Sequence, residues 1–207
     1  MNEGYEEVLR AIASSDPTPG GGSVAALSLA HAQCLTIMVA RLTVGKEKWS
    51  DGHEAAELII SKWDPRMGVA IGLAKKDALA FDQVMGAYRL PKRDEKEKEF
   101  RQSTIRKATI GAAQAPLETA TEALDLLHDI ESFSHICNSN ALTDLASAAE
   151  LSSSAVIIAS MNVRINLDFI KGEDVDELSM RLDTVVGESD SSLERIRSKV
   201  FERLGWK

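Results

Sequence analysis

The sequence predicts an all-α protein, a bundle of long and partly kinked helices. Apolar residues recur with the 3.6-residue period of a helix along almost the whole chain, and no stretch alternates apolar and polar residues as a strand does. Small residues are frequent in the predicted helices, with Ala25-Ala26, Ala112-Ala113 and Ala148-Ala149 as examples. Because small side chains let helices approach closely and form flat surfaces, we expect tight packing and dimerisation through helix faces.

Six helical segments are expected, separated by breaks rich in proline, glycine, asparagine or charged residues. Their bounds are about 3–13, 23–44, 53–88, 92–128, 141–170 and 175–204. The second begins at Ser23, whose hydroxyl suits an N-cap, after a segment with two prolines and three glycines. The third contains Asp64-Pro65, which allows two helices or one kinked helix, and we favour the kink. Pro116 predicts a local bend in the fourth.

Composition limits the domain organisation and the classes of partner. A chain of 207 residues, 44% of them hydrophobic, can bury one good core, so a single domain over residues 1–207 is expected. The formal net charge of −8 argues against nucleic acid and anionic membrane surfaces as partners. The apolar tract Val24–Ala40 is too short and too often interrupted to span a bilayer. Cys34 and Cys137 lie in apolar segments, which predicts a reduced, cytoplasmic protein.

Two carboxylates interrupt apolar helix faces. Asp77 shares its face with alanine and aromatic residues, and Asp144 shares its face with alanine, leucine and Cys137. Burial raises the pKa of a carboxyl group, so either side chain is a candidate general acid or base. A structural carboxylate that caps or pairs inside the bundle is an alternative of equal weight.

A line of polar side chains continues along the helix of Asp144. Asn162 lies 18 residues further on, about five turns and roughly 27 Å away at nearly the same azimuth, and Asn166 follows one turn later. Amide side chains suit a polar heterocycle, although polar helix packing without a ligand is the alternative. Asp144 and Asn162 are too far apart to share a site in one straight helix. Antiparallel packing against a second copy would bring them together.

The glycine run before the second helix, Gly20-Gly21-Gly22, can present backbone N–H groups to an anion or a carbonyl group. A tight turn that permits close helix packing is an equally weighted alternative. Since no strand pattern precedes the run and no nucleotide-binding motif is present, a mononucleotide or dinucleotide fold is rejected. His31 and Cys34 share a helix face, but no second ligand pair accompanies them, so no metal site is expected.

Several short segments, in order along the chain, carry a family resemblance. They are Pro19–Ala26, Met38–Lys46, Asp77–Phe81, Leu90–Lys92, Ala115–Leu117, Asn138–Asp144 and Asn162–Asn166. Together they resemble the formiminotetrahydrofolate cyclodeaminase and methenyltetrahydrofolate cyclohydrolase family over about residues 5–170. The resemblance implies an all-helical homodimer that needs no cofactor, takes a tetrahydrofolate derivative as substrate and holds it near the subunit contact. It leaves open which of the two reactions at the N5–N10 bridge is catalysed.

The resemblance also implies roles for individual residues. Asp144 or Asp77 would exchange protons beside the cationic carbon, and Lys46 would orient the substrate or assist that transfer. Lys92 would meet the glutamate tail. Hydrogen bonds to the pterin and p-aminobenzoyl groups would come from Gly21, Gly22, Ser23, Asn138, Asn140, Asn162 and Asn166. The competing hypothesis is a non-catalytic folate-binding or helical assembly module on the same scaffold.

Overall fold

The computed structural model describes residues 3–206. These residues form seven α-helices and two 3₁₀ helices, and they contain no strand. The α-helices are α1 (Glu3–Ile12), α2 (Gly21–Val44), α3 (His53–Trp63), α4 (Met67–Tyr88), α5 (Glu95–Phe133), α6 (Leu142–Leu167) and α7 (Glu173–Leu204). The 3₁₀ helices are Glu47–Gly52 and Ser139–Ala141. The all-α prediction is therefore confirmed for the described part of the chain.

The start of α2 differs from the prediction. The helix begins at Gly21 with Gly20 as its N-cap, so Ser23 is the third residue of the helix rather than the cap. The Ser23 hydroxyl lies 3.1 Å from both the Ala74 carbonyl oxygen and Asp77 Oδ2 on α4. Assigning Ser23 as the N-cap was therefore wrong. Its hydroxyl bonds to Asp77 of α4 rather than to its own helix, and local sequence does not reveal an acceptor on a distant helix.

The segment 53–88 forms two helices rather than the single kinked helix that was favoured. The last regular bond of α3 runs from the Asp64 N–H to the Ile60 carbonyl, and Pro65 has no N–H to continue the ladder. Tighter bonds follow, with the Arg66 N–H donating to the Trp63 carbonyl. The two helices are separated by a tight turn of three residues, so α4 has its own N-terminus.

The helix α5 has 39 residues and ends at Phe133, five residues later than predicted. Asp94 is its N-cap, and its carboxylate accepts a hydrogen bond of 2.8 Å from the Glu97 N–H. Pro116 lies buried inside the helix without ending it. Because α5 is this long, one rigid element reaches from the connection after α4 to the loop before α6.

The centre of the bundle is formed by α2, α5 and α6. α2 and α6 run antiparallel, because the start of α2 lies beside Asn162 and its last turn bonds to Asn138. α5 and α6 are also antiparallel, since Ser152 donates to the Ala123 carbonyl and Asn166, later in α6, donates to the Ala112 carbonyl, earlier in α5. Large side chains fill the space between these helices, among them the fully buried Leu29, Ile37, Leu126, Leu127, Ile130, Leu142 and Leu145. Alanines at the contacts allow the close approach that the sequence predicts.

Two of these central helices are long and apolar enough to cross a membrane by length and composition alone. They are α2 and the segment Ser139–Leu167. In the bundle, 56% and 50% of their most apolar windows are buried against other helices. Packing in the core therefore accounts for much of their apolar character.

The helix α7 covers the outside of α5 and α6, as the amphipathic pattern predicts. Its apolar stripe includes the buried residues Val175, Leu178 and Leu182. Ion pairs also attach it, with Arg195 bonded to Glu131 of α5 and Arg197 bonded to Glu150 of α6. The last two turns of α7 thereby lie beside the connection between α5 and α6.

Candidate active site

The first group of candidate residues lies where α2 begins. Gly22 is buried against α4, and a Cβ atom added to it would overlap the Asp77 carboxylate. Ser23 bonds to the same carboxylate through its hydroxyl, at 3.1 Å, and through its backbone N–H. Gly20 has no side chain with which to cap the helix, so Asp77 takes the place of a capping residue from another helix. For Gly22, the close-packing alternative is thus correct.

The environment of Asp77 changes its acidity. Burial raises the pKa of the Asp77 carboxyl above its ordinary value, and the two hydrogen bonds from Ser23 offset only part of that rise. The side chain is half-buried rather than sealed off. A carboxyl group with a raised pKa and one side open to solvent can exchange protons with a bound molecule. Asp77 therefore combines a structural role with the properties of an acid–base group.

Two amide side chains of α6 belong to the same group. Asn162 lies against Gly21, with Nδ2 at 3.4 Å from the position of an added Cβ, and donates to the Ile158 carbonyl at 2.9 Å. Asn166 donates to the carbonyls of Ala112 and Asn162. The Asn166 bond to α5 agrees with the alternative of polar helix packing. Within residues 3–206, no donor bonds to the side-chain carbonyl oxygen of either half-buried amide, so each oxygen can accept a hydrogen bond from a ligand.

The second group lies at the opposite end of α2. Asn138 is buried, and its backbone N–H donates to Thr43 Oγ1 at 3.0 Å while its side chain donates to the Leu42 carbonyl at 3.0 Å. Its Oδ1 accepts a bond of 2.9 Å from the Asn140 N–H, which forms a tight turn at the start of the 3₁₀ helix. Gly52 packs against this loop, because a Cβ there would lie 2.5 Å from the Ile136 carbonyl oxygen.

Asp144 and Lys46 lie at this same end of the bundle. Asp144 is half-buried in the first turn of α6, four residues after the exposed Asn140. Lys46 is exposed just beyond α2, where its N–H donates to the Thr43 carbonyl and its own carbonyl lies 3.1 Å from His53 Nε2. An exposed ammonium and a half-buried carboxylate at the same end of the bundle suit the approach of a polar ligand from this end.

The structure brings together six of the predicted site residues at one end of α2 and four at the other. Lys92 belongs to neither group, because it is exposed in the connection between α4 and α5. With 24 residues at about 1.5 Å each, α2 is roughly 36 Å long, and the two groups lie at its opposite ends. One chain therefore carries two half-sites rather than one compact site.

Sequence reasoning missed Thr43 and Gly52, which hold the loop of Asn138. Thr43 is fully buried and its hydroxyl both donates to the Val39 carbonyl and accepts from Asn138. A buried threonine inside an otherwise apolar stripe was the only available signal, and Thr36 gives the same signal without such a partner. The sequence pattern alone does not separate the two threonines.

An exposed apolar face extends along α2 between the two half-sites. Met38 and Leu42 of α2 are 37% and 43% exposed, and Ile71 of α4 is 42% exposed. Nearer α1, a groove of about 580 Å³ is lined mainly by apolar side chains of α1, α2, α4 and α6. Exposed apolar side chains grouped in this way are typical of an interface.

The described residues also bear on metals and cysteines. Within residues 3–206, no group of three or more His, Cys, Asp or Glu side chains is arranged to hold a metal ion. Over the same residues, Cys34 is free and exposed, and Cys137 is free and buried. The expected absence of a metal from the reaction remains a prediction.

The described residues form an all-helical protein with a candidate acid–base site. In that site, the Asp77 carboxyl of raised pKa lies at the N-terminus of α2, and two amide side chains of α6 lie near the same helix end. The chain belongs to the formiminotransferase-cyclodeaminase family, whose model matches residues 4–182. It is 32% identical over 207 residues to a methenyltetrahydrofolate cyclohydrolase of Methylorubrum extorquens, with 98% of each chain covered.

Two further comparisons agree with this assignment. The fold matches the crystal structure of formiminotetrahydrofolate cyclodeaminase from Thermotoga maritima with a TM-score of 0.86 and 29% identity, covering 97% of this chain and 96% of the other. A formimidoyltransferase-cyclodeaminase of Gallus gallus is 28% identical over 165 residues, which are 80% of this chain and 30% of that protein. The predicted family and the predicted fold are therefore confirmed.

Proposed function

We propose that this protein is a folate one-carbon enzyme, acting as a formiminotetrahydrofolate cyclodeaminase or as a methenyltetrahydrofolate cyclohydrolase. The observation that carries the proposal is the Asp77 carboxyl group, which burial holds at a raised pKa against the first turn of α2. Membership of the family and relatives with both activities support it. Both reactions break or form a C–N bond and move protons at a cationic carbon, which is work for a positioned carboxyl group.

In cyclodeamination, N10 attacks the carbon of the protonated formimino group and forms the second C–N bond of the bridge. The proton of N10 must leave and a proton must reach the departing nitrogen, which is released as ammonia to give the methenyl cation. A carboxylate takes the first proton and returns it to the leaving group, so atoms and charge balance with one relay. Asp77 is assigned this relay, with Asp144 of the partner subunit stabilising the cationic carbon.

In cyclohydrolysis, water adds to the methenyl carbon and one C–N bond of the bridge then opens. The carboxylate accepts a proton from the attacking water, and the released ring nitrogen is protonated as the bond breaks. One proton is released overall, because a cation and water give a neutral formyl compound. The same residues can therefore serve either reaction. Which one is catalysed would depend on whether the site accommodates the formimino nitrogen of the substrate.

The site is proposed to be completed by a second copy of the chain. The two half-sites lie at opposite ends of one helix, and the apolar face between them includes Met38, Leu42 and Ile71. If two copies pack antiparallel through this face, Asp77 of one chain lies beside Asp144 and Lys46 of the partner subunit. Burial of apolar side chains supplies the free energy of association. The proposed protein is thus a homodimer with two equivalent sites.

The remaining assignments follow from this arrangement. The free carbonyl oxygens of Asn162 and Asn166 would accept hydrogen bonds from the pterin, and Asn140 would face it from the other chain. The Asn138 amide already bonds to the Leu42 carbonyl and to the Asn140 N–H, so its proposed role is to hold the loop that carries Asn140. Gly21 provides an exposed stretch of backbone beside Asn162. Lys92 is proposed to meet the glutamate tail only if the tail extends past the C-terminus of α4. No metal or further cofactor, no nucleic acid and no membrane is proposed, and the protein is proposed to be cytoplasmic.

The assay of this proposal follows the absorbance of methenyltetrahydrofolate with each substrate separately. Cyclohydrolase activity removes the absorbance of added methenyltetrahydrofolate faster than the spontaneous rate. Cyclodeaminase activity produces it from 5-formiminotetrahydrofolate and releases ammonia. If neither rate exceeds the spontaneous one while tetrahydrofolate binds, the enzyme proposal is wrong and the non-catalytic folate-binding alternative holds.

A further inference from the structure

The last turn of α7 contacts the loop that joins α5 to α6. Arg203 Nη1 donates to the Ser134 carbonyl at 2.7 Å, and Nη2 donates to the Cys137 carbonyl at 2.8 Å. Nη1 also lies 3.3 Å from Cys137 Sγ. Arg203 lies beyond residues 4–182 that the family model matches. One guanidinium thus bonds to both ends of a four-residue turn.

These carbonyls need a donor because neither is bonded within a helix. Ser134 is the C-cap of α5, where a carbonyl has no partner in the helix, and Cys137 lies in the loop beyond it. A planar guanidinium can serve both carbonyls at once. Ser134 and Cys137 are both fully buried, so solvent is a poor substitute for Arg203. The guanidinium therefore determines the path of the chain as it leaves α5.

The peptide group between Cys137 and Asn138 is bonded to α7 on one side and to α2 on the other. The Cys137 carbonyl and the Asn138 N–H belong to one planar peptide unit. The carbonyl accepts from Arg203 at 2.8 Å, and the N–H donates to Thr43 Oγ1 at 3.0 Å. With both edges bonded, rotation of this peptide plane is prevented. The plane sets the direction of Asn138, whose side chain in turn bonds to the N–H of Asn140.

We propose that Arg203 is a positioning residue for the second half-site, which contains Asn138, Asn140 and Asp144. This inference rests on the proposed function, because it assumes that Asn140 and Asp144 meet substrate. Arg203 acts through the loop and does not touch the substrate itself. Two ion pairs of this half of α7, Arg195 with Glu131 and Arg197 with Glu150, attach the helix to α5 and α6 without bonding to the loop.

The experiment compares Arg203→Met with the matched control Arg197→Met in the full chain. Both changes remove a guanidinium from the same helix, but only the first leaves the loop carbonyls without a donor. Deuterium uptake is measured for the peptide covering residues 134–140. The kcat and KM values are measured with methenyltetrahydrofolate and with 5-formiminotetrahydrofolate, well below the Tm of each variant. Arg203→Lys provides a second variant, since an ammonium reaches one carbonyl at a time.

The expected result has three parts. Arg203→Met raises deuterium uptake in 134–140 and lowers kcat by about tenfold or more, because small misplacements of reacting groups are costly. Arg203→Lys recovers part of the rate, and Arg197→Met stays within about twofold of the unchanged protein on both measures. If Arg203→Met does not fold, the lysine variant alone carries the comparison.

Two results would overturn the proposal. One is unchanged uptake in 134–140 after loss of Arg203, and the other is raised uptake with unchanged kcat and KM in a folded variant. Failure of the proposed function is recognised separately, because the unchanged protein would then convert neither folate. The uptake measurement would still decide whether Arg203 holds the loop.

Discussion

The Asp77 carboxylate packs so closely against Gly22 that no residue with a Cβ atom fits at position 22 unless the carboxylate moves. A Cβ atom on Gly22 would overlap the carboxylate, while Ser23, the next residue, bonds to it at 3.1 Å. The first turn of α2 and the side chain of α4 are therefore fitted to one another. This contact explains why the chain has glycine here, and it holds the proposed acid–base group in one orientation.

Gly22→Ala is expected to lower both stability and activity. The added methyl group displaces the Asp77 carboxylate from its place against α2, and overpacking of this kind costs about 1–3 kcal/mol. Because the displaced carboxylate is the proposed acid–base group, kcat falls as well. Thermal unfolding and steady-state kinetics measure the two effects.

Gly21→Ala is the matched control for the stability effect. Its Cβ would lie 3.4 Å from Asn162 Nδ2, an ordinary contact, so its Tm should remain close to that of the unchanged protein. Equal Tm values for the two alanine variants would show that the contact between Gly22 and Asp77 is not tight.

Asp77→Asn separates the catalytic role of Asp77 from its structural role. Asparagine keeps an oxygen that accepts the Ser23 hydrogen bonds but cannot exchange protons, so kcat should fall by about 10²-fold or more. At neutral pH the variant is expected to be more stable than the unchanged protein, because it removes the cost of burying a charge.

The pH dependence of that stability difference follows from the pKa of Asp77. Burial raises this pKa in the folded state, so the folded protein holds the proton more tightly than the unfolded chain does. The Asp77 contribution to stability is therefore fully present below the unfolded pKa and is lost as pH rises through the folded pKa. Denaturant unfolding at several pH values should show the advantage of Asp77→Asn growing with pH. An advantage that grows as the pH falls would be inconsistent with a raised pKa.

Thr43→Val tests the anchor of the second half-site. The variant keeps the shape of threonine but leaves the buried Asn138 N–H without an acceptor, which costs about 1–3 kcal/mol. Activity should fall as the loop shifts. In the control Thr36→Val, the lost hydroxyl bonds to the Ala32 carbonyl of its own helix. The free energy of unfolding in urea should therefore change by less than about 1 kcal/mol. Equal losses of unfolding free energy in the two variants would show that Thr43 does not anchor the loop of Asn138.

Met38→Asp is expected to disrupt the proposed homodimer. Met38 lies in the middle of the apolar face of α2, where a charge in a dry interface is costly. Light scattering should give a monomer that has lost activity with both folates. Met180 of α7 is 71% exposed, outside that face, so Met180→Asp should leave the molar mass and kcat unchanged. A fully active Met38→Asp monomer would contradict a shared site.

The sequence was sufficient to predict the helices and to single out polar candidate residues, for identifiable reasons. Helical periodicity is a local property, so α2, α6 and α7 were predicted to within a few residues. Asp77 and Asp144 were recognisable because a carboxylate stands out on an apolar face. The Pro65 region was misjudged because local sequence does not determine whether a helix bends or stops at proline.

The contacts between distant residues were not predictable in the same way. The Ser23 hydroxyl suited a local cap, but its acceptor is 54 residues away on α4. Arg203 gave no signal at all, since one arginine near the end of a charged helix resembles any other. The separation of the two half-sites was predictable along one helix, from the spacing of Asp144 and Asn162. That Gly22 and Asp77 would meet required the packing of α2 on α4.

The most direct test of the account is a mixed dimer of Asp77→Asn and Asp144→Asn chains, co-expressed with two different tags and purified through both. Each variant alone should have little activity. If each site combines Asp77 of one chain with Asp144 of the partner subunit, the mixed dimer has one intact site and about half of the normal turnover. If both residues of each site come from the same chain, the mixed dimer remains as inactive as its parents, and the shared site is contradicted.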